Sequence, residues 1–70
     1  MDKFFVIRDL SGQFILKKGE YYSTPSLQRW DETEKSSIET FNSYEEAEEF
    51  IKKNDSSFYG RYIVIEEVFY

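Results

Sequence analysis

Phe41-Asn42-Ser43-Tyr44-Glu45-Glu46-Ala47-Glu48-Glu49-Phe50-Ile51-Lys52-Lys53-Asn54 decides how the rest of this 70-residue chain must fold. Ser43 followed three residues later by Glu46 is a capping box, in which the serine oxygen and the glutamate side chain satisfy backbone N–H groups that a helix start leaves unpaired. Tyr44, Ala47, Phe50 and Ile51 recur at spacings of three and four, one apolar stripe of a helix over 44–53, with Phe50 at its centre. Glu45 and Glu46 in the first turn and Lys52 and Lys53 in the last complement the helix dipole. Glu48–Lys52 and Glu49–Lys53 are correctly oriented i,i+4 pairs. Asn54 suits the residue just past the helix end.

Working outward, everything else reads as β-structure. Phe4-Phe5-Val6-Ile7 is an apolar run of strand formers closed by the turn-like Asp9-Leu10-Ser11-Gly12, and Gln13 to Lys17 is a second strand, so the two form a hairpin. Lys18-Gly19 offers another turn. Residues 20–35, interrupted by Pro25, form either an ordered loop or a short edge strand near Leu27–Trp30. Ser37 to Phe41 alternates as a short strand before the helix, and 54–57 is a loop with Gly60 as a hinge. Arg61 to Tyr70 is the last strand, apolar on both faces at Tyr62-Ile63-Val64-Ile65. One domain follows, an α+β fold of βββαβ type: a mostly antiparallel sheet of three to four strands with one helix across one face. The first and last strands are expected as central neighbours.

Composition narrows the chemistry. The chain has no histidine and no cysteine, which removes the commonest general base, the commonest metal ligand and the best nucleophile. Ser and Thr lack a base to activate them, so no catalytic residue, metal or cofactor is expected. Gly12, Gly19 and Gly60 are isolated, and none belongs to a phosphate-cradling motif. Asp31-Glu32-Thr33-Glu34 lacks the spacing and central glycine of a calcium loop. Glu45, Glu46, Glu48 and Glu49 read as a solvated helix face rather than a catalytic pair, which needs burial to split its pKa values. No run approaches a membrane span, and the short apolar run near Met1, closed by charges on both sides, is not expected to act as a signal peptide. A soluble cytoplasmic protein without a membrane or direct nucleic-acid partner is expected.

Charge and aromatic content point to contact with other proteins. The formal charge is −5, but residues 1–30 carry a net of +2 and residues 31–50 a net of −7. This acidic body repels nucleic-acid phosphate. The chain also carries 14 Phe, Tyr and Trp residues, several as adjacent pairs (Phe4/Phe5, Tyr21/Tyr22, Phe58/Tyr59, Phe69/Tyr70), and a strand puts adjacent rings on opposite sheet faces. One short helix covers one face. The other is covered by Tyr22 and Trp30 folding back, or stays open for a partner or a second copy.

The opening strand Lys3–Arg8, the Gly-turn hairpin, Trp30, the junction Phe41-Asn42-Ser43-Tyr44-Glu45-Glu46-Ala47 and the closing Ile/Val strand together resemble short phage- and prophage-encoded proteins. That resemblance implies a non-enzymatic accessory that binds and inhibits a host protein, such as a nuclease or another defence component. Two mechanisms are then open. Glu32, Glu34, Glu39, Glu45 and Glu49 present an acidic surface to a basic groove on the host protein, or Tyr22, Trp30 and other sheet aromatics make an apolar interface, in a homodimer or with a partner. A structural or assembly component using that aromatic face is the alternative. Because no metal-ligand set is present, millimolar EDTA or added calcium is expected to leave the melting temperature unchanged; a calcium-dependent rise would mean that the glutamates form a site.

Overall fold

The structure, a computed structural model, describes residues 1–58 and 60–70. Its core is set by β1 (Lys3–Asp9), where Val6 and Ile7 are successive residues and both are buried. Successive strand residues point to opposite faces, so this one strand demands cover on both sides. β2 (Phe14–Lys17) repeats the pattern with Ile15 and Leu16. β3 (Ser26–Arg29) pairs with β2, and β4 (Ile63–Phe69) pairs with β1 along its whole length, giving an antiparallel sheet of order β3-β2-β1-β4. The edge strand near Leu27 therefore forms. The first and last strands are neighbours, but β4 lies at an edge rather than in the centre, because β2 and β3 occupy the other side of β1.

β1 and β2 meet at Arg8↔Ile15 and then diverge. Residues 37–41 fill the gap: Phe5 and Phe41 exchange N–H···O bonds of 2.9 and 2.8 Å, Glu39 N donates to the Leu16 carbonyl at 3.0 Å, and Lys18 N donates to the Ser37 carbonyl at 2.8 Å. The expected strand over 37–41 is thus replaced by a 3-10 turn at Lys35–Ser37 and two isolated bridges, Lys17↔Ile38 and Phe5↔Phe41. Diverging neighbours leave each residue of the wedge one partner at most, so no continuous ladder forms.

α1 (Tyr44–Lys53) starts where expected. Ser43 Oγ accepts from Glu46 N at 3.1 Å, while Glu46 Oε2 accepts from Asn42 N at 3.0 Å, one residue ahead of the usual box partner. At the other end Asn54 is not left-handed (φ −125°); its backbone and side-chain N–H groups both donate to the Phe50 carbonyl. The expected loop is a 3-10 turn, Asp55–Phe58, which inserts Phe58 into the core beside Ile7, Leu16 and Ala47. Ala47 is the buried position of the helix stripe and Phe50 is half-buried, its ring 5.5 Å from Phe41 and 6.2 Å from Phe58. Gly60 is the expected hinge, at φ 71°. Tyr59, expected as one of an aromatic pair, lies outside the described residues.

The hairpin turn is held by Asp9, the one buried charged residue among those described. Its carboxylate accepts from Ser11 Oγ and from Phe14 N at 2.9 Å, while Arg61, stacked on the Phe14 ring at 4.3 Å, lies 4.0 Å away. The Ser11 hydrogen bond, above all, with the Phe14 bond and the Arg61 charge, outweighs burial and holds the Asp9 carboxyl below its ordinary value.

Ser43→Ala is expected to cost about 1 kcal/mol. Phe58→Ala, which empties a core site, should cost about 3–5 kcal/mol, enough to unfold so small a domain. Urea melts that ranked the two equally would mean that Phe58 does not anchor the core. Asp9 contributes a pH-dependent part of stability. A carboxyl whose folded-state value is depressed adds stability above the unfolded value of about 3.9, and that stability is lost as pH falls from there through the lower folded-state value. The gap in urea midpoint between wild type and Asp9→Asn should therefore be widest near neutral pH and close below about pH 4.

Candidate functional site

The second sheet face is covered only in part. After β3, Trp30 N donates to the Gln13 carbonyl at 3.0 Å, anchoring a 3-10 turn at Trp30–Glu32 over the sheet. Thr33 Oγ1 donates to the Arg29 carbonyl at 2.7 Å and closes that turn. Between this cover and β4 lies a cleft of about 360 Å³, with Val6, Ile15, Ile38 and Val68 as apolar lining. That volume falls within the range of ligand and side-chain pockets.

Aromatic rings and charges form the walls. The Arg8 guanidinium lies 5.8 Å from the Trp30 ring centre and Lys35 Nζ 4.2 Å from that of Tyr70, both within cation–π reach. Arg8 Nη2 donates to the Gly12 carbonyl at 2.7 Å, and Arg8 Nη1 lies 3.6 Å from Glu66. The register pairs Arg8 with Val64 and Val6 with Glu66, so this ion pair is a diagonal contact across β1 and β4. Asp31 accepts from Arg29 Nε and Nη2 at 3.2 and 3.3 Å; that bond and the guanidinium charge hold its carboxyl below the ordinary value, ionised at neutral pH.

The cleft thus combines an apolar floor and aromatic walls with a charged rim. Its carboxylates are each paired with an arginine, and the Thr33 hydroxyl donates to a backbone carbonyl. Among the described residues no three acidic side chains converge as a metal-binding group, and no helix is long and apolar enough to cross a membrane.

The residues singled out from the sequence do not gather in one place. Trp30 lines the cleft, half-exposed. Tyr22 does not cover the sheet: with Tyr21, at φ 57°, it stands fully exposed in the β2–β3 loop. Gly19 closes that loop, since an added Cβ would overlap the Ser23 carbonyl. Glu32 flanks the cleft's cover, 3.9 Å from Arg29, and Glu34 precedes the next turn. Glu45 and Glu49 are exposed on α1, which packs on the opposite sheet face, and Glu39 sits half-buried in the wedge between strands. The −7 segment is therefore divided between two sides of the sheet. Arg8, Lys35 and Glu66 were missed, and Tyr70 stood out only as one of an aromatic pair. The available signal was an arginine and a glutamate interrupting two otherwise apolar strands, a pattern that invites cross-strand pairing.

The described elements define a small α+β domain with a four-stranded antiparallel sheet and one α-helix. Comparison with protein-family models, curated proteins and solved structures finds no match to this chain.

The Arg8–Glu66 pair is partly exposed and contributes little to stability, on the order of 0–1 kcal/mol. Glu66→Gln should accordingly leave the urea midpoint almost unchanged, whereas Ile15→Ala, which opens the buried floor, should cost about 2–5 kcal/mol. Comparable losses from both would mean that the cleft is held by charge rather than by packing.

Proposed function

We propose that this chain is a non-enzymatic binding module that acts by stoichiometric contact with a protein, encoded by a phage or mobile element and directed at a host protein. The half-covered sheet face carries this reading: a cleft with an apolar floor, Trp30 and Tyr70 as walls and a charged rim fits the anatomy of a contact core better than that of a catalytic centre. The sequence resemblance to phage accessory proteins supports the choice of a host partner. A component of a viral or host assembly would use the same face. In a second reading the exposed helix glutamates Glu45 and Glu49 occupy a basic groove on the partner. Glu32 and Glu34 lie across the sheet from them, so a single groove engages one acidic group at a time.

With a partner isolated on the immobilised chain, Trp30→Ala is expected to weaken binding about tenfold or more, as loss of a central aromatic anchor does. Joint Glu45→Lys and Glu49→Lys changes, or a rise from about 0.1 to about 0.5 M salt, should alter affinity far less, because screening acts mainly on exposed charges. Binding that tolerated Trp30→Ala but collapsed on charge reversal would replace the cleft by the helix glutamates.

A further inference from the structure

β4 ends the sheet, and its register determines which of its backbone groups are free. Asp2 and Tyr70 exchange N–H···O bonds, and Leu10 N donates to the Tyr62 carbonyl at 2.8 Å. Hydrogen-bonded and non-hydrogen-bonded pairs alternate in an antiparallel ladder, so Val64, Glu66 and Val68 direct their backbone groups to β1. Phe5 turns its own N–H and C=O the other way, to Phe41, which confirms the phase. The N–H and C=O groups of Ile63, Ile65, Glu67 and Phe69 therefore point out of the sheet along a strand of seven residues, whereas the opposite edge, β3, has only four.

The side chains along this edge are of two kinds. Tyr62, Val64 and Phe69 are exposed apolar groups. Glu66 and Glu67 are exposed in mid-strand, on opposite faces; Glu66 reaches Arg8 at 3.6 Å and Glu67 has no ion pair within 4 Å among the described residues. Glu66 and Val68 also line the cleft, so the edge and the cleft form one continuous surface.

We infer that the open edge of β4 is a strand-addition site for an extended segment of a partner protein in which two consecutive basic residues are flanked by apolar, β-forming ones. This rests on the reading of the chain as a protein-binding module. Backbone groups of the added strand would pair with Ile63, Ile65, Glu67 and Phe69, as in β-augmentation generally. Consecutive strand residues face opposite ways, so an adjacent basic pair meets Glu66 on one face and Glu67 on the other. Its apolar neighbours cover Val64 and Phe69. A second copy of the chain is the poorer occupant. Full antiparallel overlap of two β4 strands is centred on Glu66 and sets it against its own counterpart, and like charges directly opposite are destabilising.

The test uses the full chain and a blocked peptide of about seven residues, matched to the strand length, with a central Lys-Lys pair between valines and threonines. Titration should protect the Ile65 and Glu67 amides from hydrogen exchange, the Val64 and Glu66 amides being already bonded to β1. Glu67→Pro removes an outward N–H without touching the β1 ladder, and should weaken the peptide about tenfold. Glu67→Lys, which keeps the N–H, should weaken it about threefold. Unchanged exchange at Ile65 and Glu67 on saturation, or equal binding by a folded Glu67→Pro variant, would overturn the edge as the site. An acidic version of the peptide binding as well as the lysine one would overturn the stated chemistry. Self-association abolished by Glu67→Pro without peptide binding would hand the edge to a second copy. A protein partner that needs Trp30 yet tolerates Glu67→Pro would remove the edge from the interface and leave the binding-module reading standing.

Discussion

Two adjacent side chains, Val6 and Ile7, are both buried, and the rest of the structure follows from that requirement. They point to opposite faces of β1, so each face of the sheet needs its own cover. Among the described residues the chain forms one α-helix. It supplies α1 and the 3-10 turn bearing Phe58 on one side, and the segment from Trp30 to Ile38 on the other. The first cover buries Ile7, Leu16, Ala47 and Phe58 as one cluster. The second is short, and the cleft is what it leaves uncovered.

The splaying of β1 and β2 links these two covers. Because the strands part beyond Arg8↔Ile15, the chain can pass from the second cover through the sheet plane, bond to both strands at Ile38 and Phe41, and emerge at Ser43 to begin α1. Asp9 closes the opposite end, where the strands do meet, by bonding the turn that joins them. A hairpin tight at one end and wedged open at the other needs both devices. Together they place the covers on the two faces.

The same geometry decides which surfaces are free to act. A run of acidic residues close in sequence becomes two separate groups once the sheet lies between them, so sequence proximity overstates its coherence as a surface. Residues remote in sequence, from β1, β2, the 30–38 cover and β4, converge instead on one cleft. The proposed binding role draws on this convergence: Trp30 and Tyr70 stand over an apolar floor, their rings engaged by Arg8 and Lys35.

Local patterns carried much of the fold. The Ser43–Glu46 cap, the 3.6-residue stripe and the terminal charges specify α1 to the residue, because helix start and stop signals act over three or four neighbouring positions. The hairpin and the apolar run at 62–65 likewise marked β1, β2 and β4 through short-range turn chemistry and β-branched content. Where a strand lies in the sheet, which side a loop packs against and whether 37–41 closes a ladder depend on contacts between distant segments. Those are decided by the burial of Val6 and Ile15 and by the room left between diverging strands. The site shows the same division. Trp30 stood out by its residue type, but Arg8, Lys35 and Glu66 acquire a shared role only when an antiparallel register brings them over one face. Sequence by itself determined α1, the β1–β2 hairpin, the last strand and the lack of histidine and cysteine; tertiary structure alone decided the cleft and the open edge, because both are made by strand order, which no local residue pattern encodes.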